Sequence, residues 1–101
     1  MPTQPIDDAL ERLHALIRST RDAEELRLLL RGLLTPQEGE EIDLRWQLLC
    51  RLVDGETQRE IARELGVSLG KIARGSRLLK YDEPELERLV QRLRGGDAGG
   101  G

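Results

Sequence analysis

The chain has 101 residues, with 16 basic and 19 acidic side chains and a formal net charge of −3. This length suffices for one small domain, and the single cysteine, Cys50, excludes an internal disulfide and fits a reducing cytoplasm. No apolar run of about 18 residues and no basic start followed by an apolar stretch is present, so neither a membrane span nor a signal peptide is predicted.

Two helices are predicted in the first third of the chain. The first runs from about Ile6 to Ile17, because apolar residues recur there every three or four positions on one face. The second runs from about Asp22, which can cap it, to Arg31, and Gly32 terminates it. Leucines crowd residues 26–34 more densely than one exposed amphipathic helix requires. This surplus predicts burial, most economically against a second chain.

A third helix is predicted from the segment TPQE, which begins at Thr35 and ends at Glu38. Threonine caps the helix, proline occupies its first position, and glutamate reaches back three residues later. The helix runs to about Asp54 and is stopped by Gly55. Its apolar stripe comprises Ile42, Trp46, Leu48, Leu49, Leu52 and Val53.

The next two predicted helices are short and joined by a tight turn. A second capping box, TQRE, starts the fourth helix at Thr57, and Gly66 ends it in a left-handed conformation. Ser68 caps the fifth helix, which runs to about Leu79. This pattern predicts a helix-turn-helix over residues 57–80, with an ordinary helical hairpin of a bundle as the alternative.

The last predicted helix runs from about Pro84 to Arg94. It is followed by a glycine-rich tail, residues 95–101, which is predicted to be disordered. The sequence therefore predicts one all-α domain over residues 1–94, with six helices and no strands.

Positive charge is concentrated in the predicted helix-turn-helix. Residues 57–80 contain six basic and two acidic side chains, whereas the rest of the chain is acidic. A basic segment in an acidic chain indicates a surface that binds a polyanion such as DNA. The alternative is a solvated helix surface without a ligand.

No arrangement of side chains indicates catalysis or metal binding. His14 is the only histidine and Cys50 the only thiol, and the carboxylates show no spacing typical of a metal site or an acid–base pair. The chain is therefore not expected to be an enzyme. Two functions remain: a DNA-binding regulator, or a helical protein-interaction module that does not bind DNA.

Residues 33–80 resemble the Trp repressor family of bacterial transcription regulators. The shared signatures are LLTPxE, an arginine ten residues after that threonine, the segment GETQRE (one residue shorter than in the family), ELG, and IxRGSxxLK. The resemblance implies an intertwined, six-helix homodimer whose helix-turn-helix heads bind double-stranded operator DNA as a repressor. It also implies an aromatic corepressor, tryptophan in the founding member, which sets the spacing of the two heads.

The resemblance also implies a ligand site. Arg45 and Arg74 match the arginines that sandwich the ring, which a guanidinium plane can do well. Thr35 and Arg74 would donate hydrogen bonds to the ligand carboxylate. Backbone carbonyls near Gly32 and Leu34 would accept hydrogen bonds from its ammonium group. Gly75 matches the glycine beside the ring. No other cofactor and no metal is implied.

Several positions depart from the family pattern. Leu78 replaces a serine that helps hold the ligand ammonium, Lys71 replaces a threonine of the recognition helix, and Trp46 stands where an aliphatic residue is usual. The missing hydroxyl would leave one hydrogen bond unmade, at a cost of about 1–2 kcal/mol. The ligand is therefore expected to be tryptophan or another aromatic metabolite whose amino group is absent or differently placed.

DNA contacts carry over from the resemblance as well. Arg59 matches the arginine that reads a guanine edge, and Ala62 replaces a lysine of the relative, so a different operator is possible. Residues expected to face the groove are Leu69, Gly70 and Ala73, with Arg74 beside them. Residues expected to contact phosphates are Gln58, Lys71, Ser76 and Arg77.

Overall fold

A computed structural model describes residues 5–100 of the chain and the side chains of residues 7–95. Six α-helices and one π-helical turn occupy most of this range, and the described residues contain no strand, which confirms the predicted all-α class. The helices are α1 (Pro5–Ser19), α2 (Ala23–Leu33), α3 (Pro36–Val53), α4 (Gln58–Leu65), α5 (Leu69–Arg77) and α6 (Glu85–Gly100). The π-helical turn, Leu78–Asp82, lies between α5 and α6.

The chain divides into two compact units, Met1–Gly39 and Glu40–Gly101. The first unit contains α1, α2 and the start of α3. Large apolar side chains on α1 and α2 face solvent: Leu10, Leu13, Leu16, Ile17, Leu28, Leu30 and Leu33. No side chain of α2 is buried, although this helix is fully described. These two helices therefore carry apolar faces that the described residues of one chain leave uncovered.

Side-chain caps start α2 and α3 as the sequence predicts. The backbone N–H of Glu25 donates to Asp22 Oδ1 at 2.9 Å. At α3, Glu38 N donates to Thr35 Oγ1 at 3.1 Å, and Thr35 N donates to Glu38 Oε1 at 2.9 Å. This reciprocal pair satisfies two donors that would otherwise lack a partner at the helix start. The hydrogen bonds from Thr35 hold the pKa of Glu38 below its ordinary value.

The second unit has a small apolar core. Leu48 of α3, Ile61 of α4 and Ile72 of α5 are buried together. Partly buried side chains pack against this cluster: Leu52, Ala62, Leu65 and Val67. The core joins α3 to both helices of the predicted helix-turn-helix, because each of the three helices contributes one buried aliphatic side chain.

Several helix boundaries differ from the predictions. Gly32 lies inside α2, because Leu34 N still donates to Leu30 O at 3.0 Å and carries the helix past the glycine. The fifth helix ends at Arg77, and its expected last turn belongs to the π-helical turn. The last helix extends beyond Arg94 to Gly100. At Gly32, each further residue of a formed helix adds a hydrogen bond that offsets the cost of glycine.

Two features of the predicted organisation stay predictions. The expected disorder of residues 95–101 concerns a segment of which the structure describes only the backbone up to Gly100. The predicted single domain over residues 1–94 combines dimerisation and DNA binding, and a dimer needs a second chain. The uncovered apolar faces of α1 and α2 fit such a domain.

Candidate nucleic-acid and ligand interface

The corner between α4 and α5 is built by two caps and a glycine. Thr57 Oγ1 accepts from Glu60 N at 3.2 Å and starts α4. Gly66 has φ 69° and ψ 25°, a left-handed conformation that glycine adopts without steric cost, and it ends α4. Ser68 Oγ accepts from Lys71 N at 3.2 Å and starts α5. Two helices of eight and nine residues thus meet at a three-residue turn, as in a helix-turn-helix.

The outer face of this corner is basic and exposed. All six basic side chains of residues 57–80 are exposed: Arg59, Arg63, Lys71, Arg74, Arg77 and Lys80. Four further candidates for DNA contact are exposed as well: Gln58, Leu69, Gly70 and Ala73. Ser76 differs, because it is only 9% exposed on the inner side of α5. Most candidate DNA-contacting residues of α4 and α5 are therefore exposed to solvent, whereas Ser76 is turned inward.

Helix α5 lies very close to α3 at Gly75. A β-carbon at this position would come within 3.1 Å of Leu48 Cδ2 and 3.3 Å of Leu52 Cδ1, both side chains of α3. These distances are shorter than ordinary van der Waals contact. Helix packing therefore favours glycine at position 75, because a larger residue would force Leu48 and Leu52 to shift. The expected place of Gly75 beside a bound ring stays a prediction.

The candidate ligand residues flank this close contact. Arg45 lies one turn before Leu48 on α3, and Arg74 immediately precedes Gly75 on α5; both guanidinium side chains are exposed. Leu78 is half-buried and begins the π-helical turn, where its N–H donates to the carbonyls of Arg74 and Gly75. Irregular helical turns of this kind occur often at functional sites.

The other two candidate ligand residues belong to the first unit. Leu34 is half-buried and terminates α2, and Thr35 is exposed and caps α3. The Thr35 hydroxyl accepts from Glu38 N, and a hydrogen bond from the same side chain helps to lower the pKa of Glu38. A contact between Thr35 and the carboxylate of a ligand stays a prediction.

Sequence reasoning missed an ion-pair cluster around Arg51, near the end of α3. Arg51 Nη1 donates to Glu56 Oε1 at 3.0 Å and also to Glu64 Oε2. The bond to Glu64 is the main cause that raises the pKa of Arg51. Glu64 lies 13 positions along the chain, so no local spacing in the sequence indicates this pair.

A second ion pair lies at the same end of α3. Arg94 of α6 donates to Asp54 Oδ1 and to the carbonyl oxygen of Cys50, the latter at 3.3 Å. A guanidinium group is stabilising at the carboxyl end of a helix, where backbone carbonyls carry partial negative charge. The bond to Asp54 is the main cause that raises the pKa of Arg94.

Neither metal ligands nor membrane spans are found in the part of the chain that the structure describes. No group of three or more histidine, cysteine, aspartate or glutamate side chains there could hold a metal ion. No helix in that range is long and apolar enough to cross a membrane.

Comparison with known proteins identifies relatives over most of the chain. The family model described as Trp repressor protein matches residues 8–94. A Trp operon repressor homolog of Vibrio parahaemolyticus is 40% identical over 81 residues, which cover 78% of this chain and 79% of the relative. A Trp operon repressor homolog of Vibrio atlanticus is 33% identical over 94 residues, covering 92% and 96%. No solved structure gives a significant match.

Proposed function

The chain belongs to the Trp repressor family, and on that premise we propose that this transcriptional repressor binds double-stranded operator DNA as a homodimer. The family match confirms the resemblance of residues 33–80, because it includes that whole segment. The proposal is carried by the α4–α5 corner, whose exposed face is basic in an otherwise acidic chain. A bacterial repressor meets DNA in the cytoplasm, which we propose as its location.

Helix α5 would enter the major groove, and α4 would lie across the backbone. The apolar and small exposed residues of α5, namely Leu69, Gly70 and Ala73, would read shape and thymine methyl groups. Arg59 would read a guanine edge. Phosphates would be contacted by Gln58, Lys71, Arg74 and Arg77. Ser76 would require a small rotation of α5 to reach a phosphate, because its side chain is nearly buried.

Replacement of Arg59 by alanine is expected to weaken operator binding by about 1–3 kcal/mol and to relax the preference at one base pair. Lys71→Ala should instead weaken binding to all duplexes alike and reduce the salt dependence, because a phosphate contact carries no sequence information. Both affinities are measured by fluorescence anisotropy on the operator and on random duplex at several salt concentrations.

Two results would count against this assignment. Equal losses on operator and random duplex for Arg59→Ala would show that Arg59 does not read a base. Absence of salt-dependent duplex binding by the unmodified protein would favour the alternative, a helical module that binds another protein.

We also propose that the two chains of the dimer cover the apolar faces of α1 and α2. A chain of 101 residues gains little burial alone, and only four apolar side chains are buried in its described part: Leu48, Ile61, Ile72 and Val90. Sedimentation at micromolar concentration is expected to give twice the chain mass of 11.4 kDa. A compact, folded monomer under those conditions would contradict the dimer.

The corepressor is proposed to be tryptophan or a related aromatic metabolite. Its ring would lie between Arg45 and Arg74, with Gly75 beside it and the carboxylate near Thr35 and Arg74. The carbonyls near Leu34 would accept from an ammonium group, if the ligand has one. Leu78 offers no hydrogen bond to such a group, which favours a ligand with an absent or displaced amino group.

A further inference from the structure

Arg51 connects α3 to both ends of α4. One nitrogen, Nη1, donates to Glu56 and to Glu64. Glu56 immediately precedes Thr57, which caps the start of α4, and Glu64 lies in the last turn of the same helix. A single guanidinium group therefore donates hydrogen bonds to carboxylates at both ends of an eight-residue helix.

Helix α4 has few other contacts that fix its direction. Ile61 is its only fully buried side chain, and Ala62 and Leu65 are partly buried along the same side. The helix follows Gly55, with φ 88°, and is followed by Gly66, with φ 69°. This apolar packing holds α4 against the core along one side only. Contacts at each end of the helix constrain its tilt.

The Arg51 contact lies away from the side of α4 that carries the candidate base-reading residue. Arg59 is five positions before Glu64, which places the two side chains about 140° apart around the helix. The Arg51 side chain is only 29% exposed, and its Nη1 already donates hydrogen bonds to two carboxylates. Arg51 is therefore placed to orient α4 rather than to contact a phosphate.

We propose that Arg51 is a positioning residue for operator recognition: by holding Glu56 and Glu64, it sets the tilt of α4 and hence the placement of Arg59. The inference rests on the proposed DNA-binding function. Its effect should appear in the ratio of operator affinity to random-duplex affinity, because a tilted α4 misplaces the base contact while most phosphate contacts can adjust.

Simple electrostatics predicts a different outcome, so the two explanations can be separated. Removing the positive charge of Arg51 would weaken binding to any duplex, and removing the negative charge of Glu64 would strengthen it. Neither change would alter the ratio of the two affinities. If Arg51 orients α4, both Arg51→Gln and Glu64→Gln lower that ratio, even though they change the net charge in opposite directions.

The experiment uses the full-length protein and two duplexes. The first is a duplex enriched by the unmodified protein from a randomised library, and the second is a scrambled duplex of equal length and composition. Fluorescence anisotropy at one fixed salt concentration gives both affinities for the unmodified protein, Arg51→Gln, Glu64→Gln and the double variant. Circular dichroism and sedimentation establish that each variant is folded and has the parent's oligomeric state.

Each single variant is expected to lower the affinity ratio roughly fivefold, an effect in the range of a partly exposed ion pair. The double variant should lose no more than either single variant, since the two side chains act through one contact. Arg51→Lys should retain most of the ratio, because a single ammonium nitrogen can meet both carboxylates that Nη1 meets.

Arg94→Gln is the matched control. It breaks an ion pair at the same end of α3 without a contact to α4, so the ratio should be unchanged. An unchanged ratio in Arg51→Gln or in Glu64→Gln overturns the positioning role. If the library yields no preferred duplex for the unmodified protein, the proposed function fails together with this inference, and the failure is visible before any variant is made.

Discussion

Arg45→Ala is expected to abolish the rise in melting temperature that an aromatic ligand gives to the unmodified protein. A ligand that binds only the folded state stabilises it by about 2.7 kcal/mol at a hundredfold excess over its dissociation constant. Arg45 is exposed and lies outside the apolar core, so its loss should remove one side of the proposed ring site and leave the protein folded. Thermal melting with aromatic and aliphatic amino acids measures the effect.

The control for this variant is Arg88→Ala, which removes an exposed arginine from α6 and should leave the ligand-induced rise intact. Leu78→Ser should improve tryptophan binding by about 1–2 kcal/mol, because it restores a hydrogen-bond partner for the ammonium group. It should not help a ligand that lacks this group, and calorimetry distinguishes the two cases. Undiminished ligand binding by Arg45→Ala would show that the site lies elsewhere or that no ligand is used.

Gly75→Ala is expected to destabilise the folded protein by up to about 2 kcal/mol, because a cost of about 1–3 kcal/mol for adding a methyl group to a close-packed contact exceeds the gain of up to about 1 kcal/mol from replacing a helical glycine. The new β-carbon would lie 3.1 Å from Leu48 Cδ2 and 3.3 Å from Leu52 Cδ1. Leu48 is only 4% exposed, so it has little room to move aside. Urea denaturation measures the change, with the protein concentration held constant because the dimer is expected to dissociate on unfolding.

Gly70→Ala, in the same helix, is expected to change stability in the opposite direction. A β-carbon there would meet only Ser68 Oγ, at 3.9 Å, and the position is exposed in the first turn of α5. Alanine is a better helix former than glycine, so this variant should be more stable by up to about 1 kcal/mol. Equal stabilisation by both substitutions would mean that α5 does not approach α3 as closely as the structure places it.

Local features of the fold could be predicted from the sequence because their causes are local. The capping box at Thr35, the side-chain cap at Thr57 and the left-handed turn at Gly66 each depend on residues within four positions of one another. The same holds for the candidate DNA surface, since the helical period places Lys71, Arg74 and their neighbours on one side of α5 once its start is known. The reciprocal bond predicted from Glu60 to the Thr57 backbone does not form, because Glu60 Oε1 accepts from the Thr57 hydroxyl instead.

Features that depend on distant contacts could not be predicted. Arg51 and Glu64 become neighbours only because the chain turns between α3 and α4. Arg94 and Asp54 are 40 positions apart in the sequence. Gly32 carries no signal that distinguishes a helix end from a helix interior. The π-helical turn at Leu78–Asp82 also could not be predicted, because its sequence does not distinguish it from the end of an ordinary α-helix.

The neighbour-to-neighbour packing of the second unit has a kinetic consequence. Helix α4 contacts α5, α5 contacts the π-helical turn, and that turn contacts α6, so these contacts are short-range in the chain. Chains rich in local contacts fold in microseconds to milliseconds. The slow step in forming the proposed dimeric repressor would then be the association of two chains. Its rate rises with the square of chain concentration, so repression would lag after synthesis begins and then set in steeply.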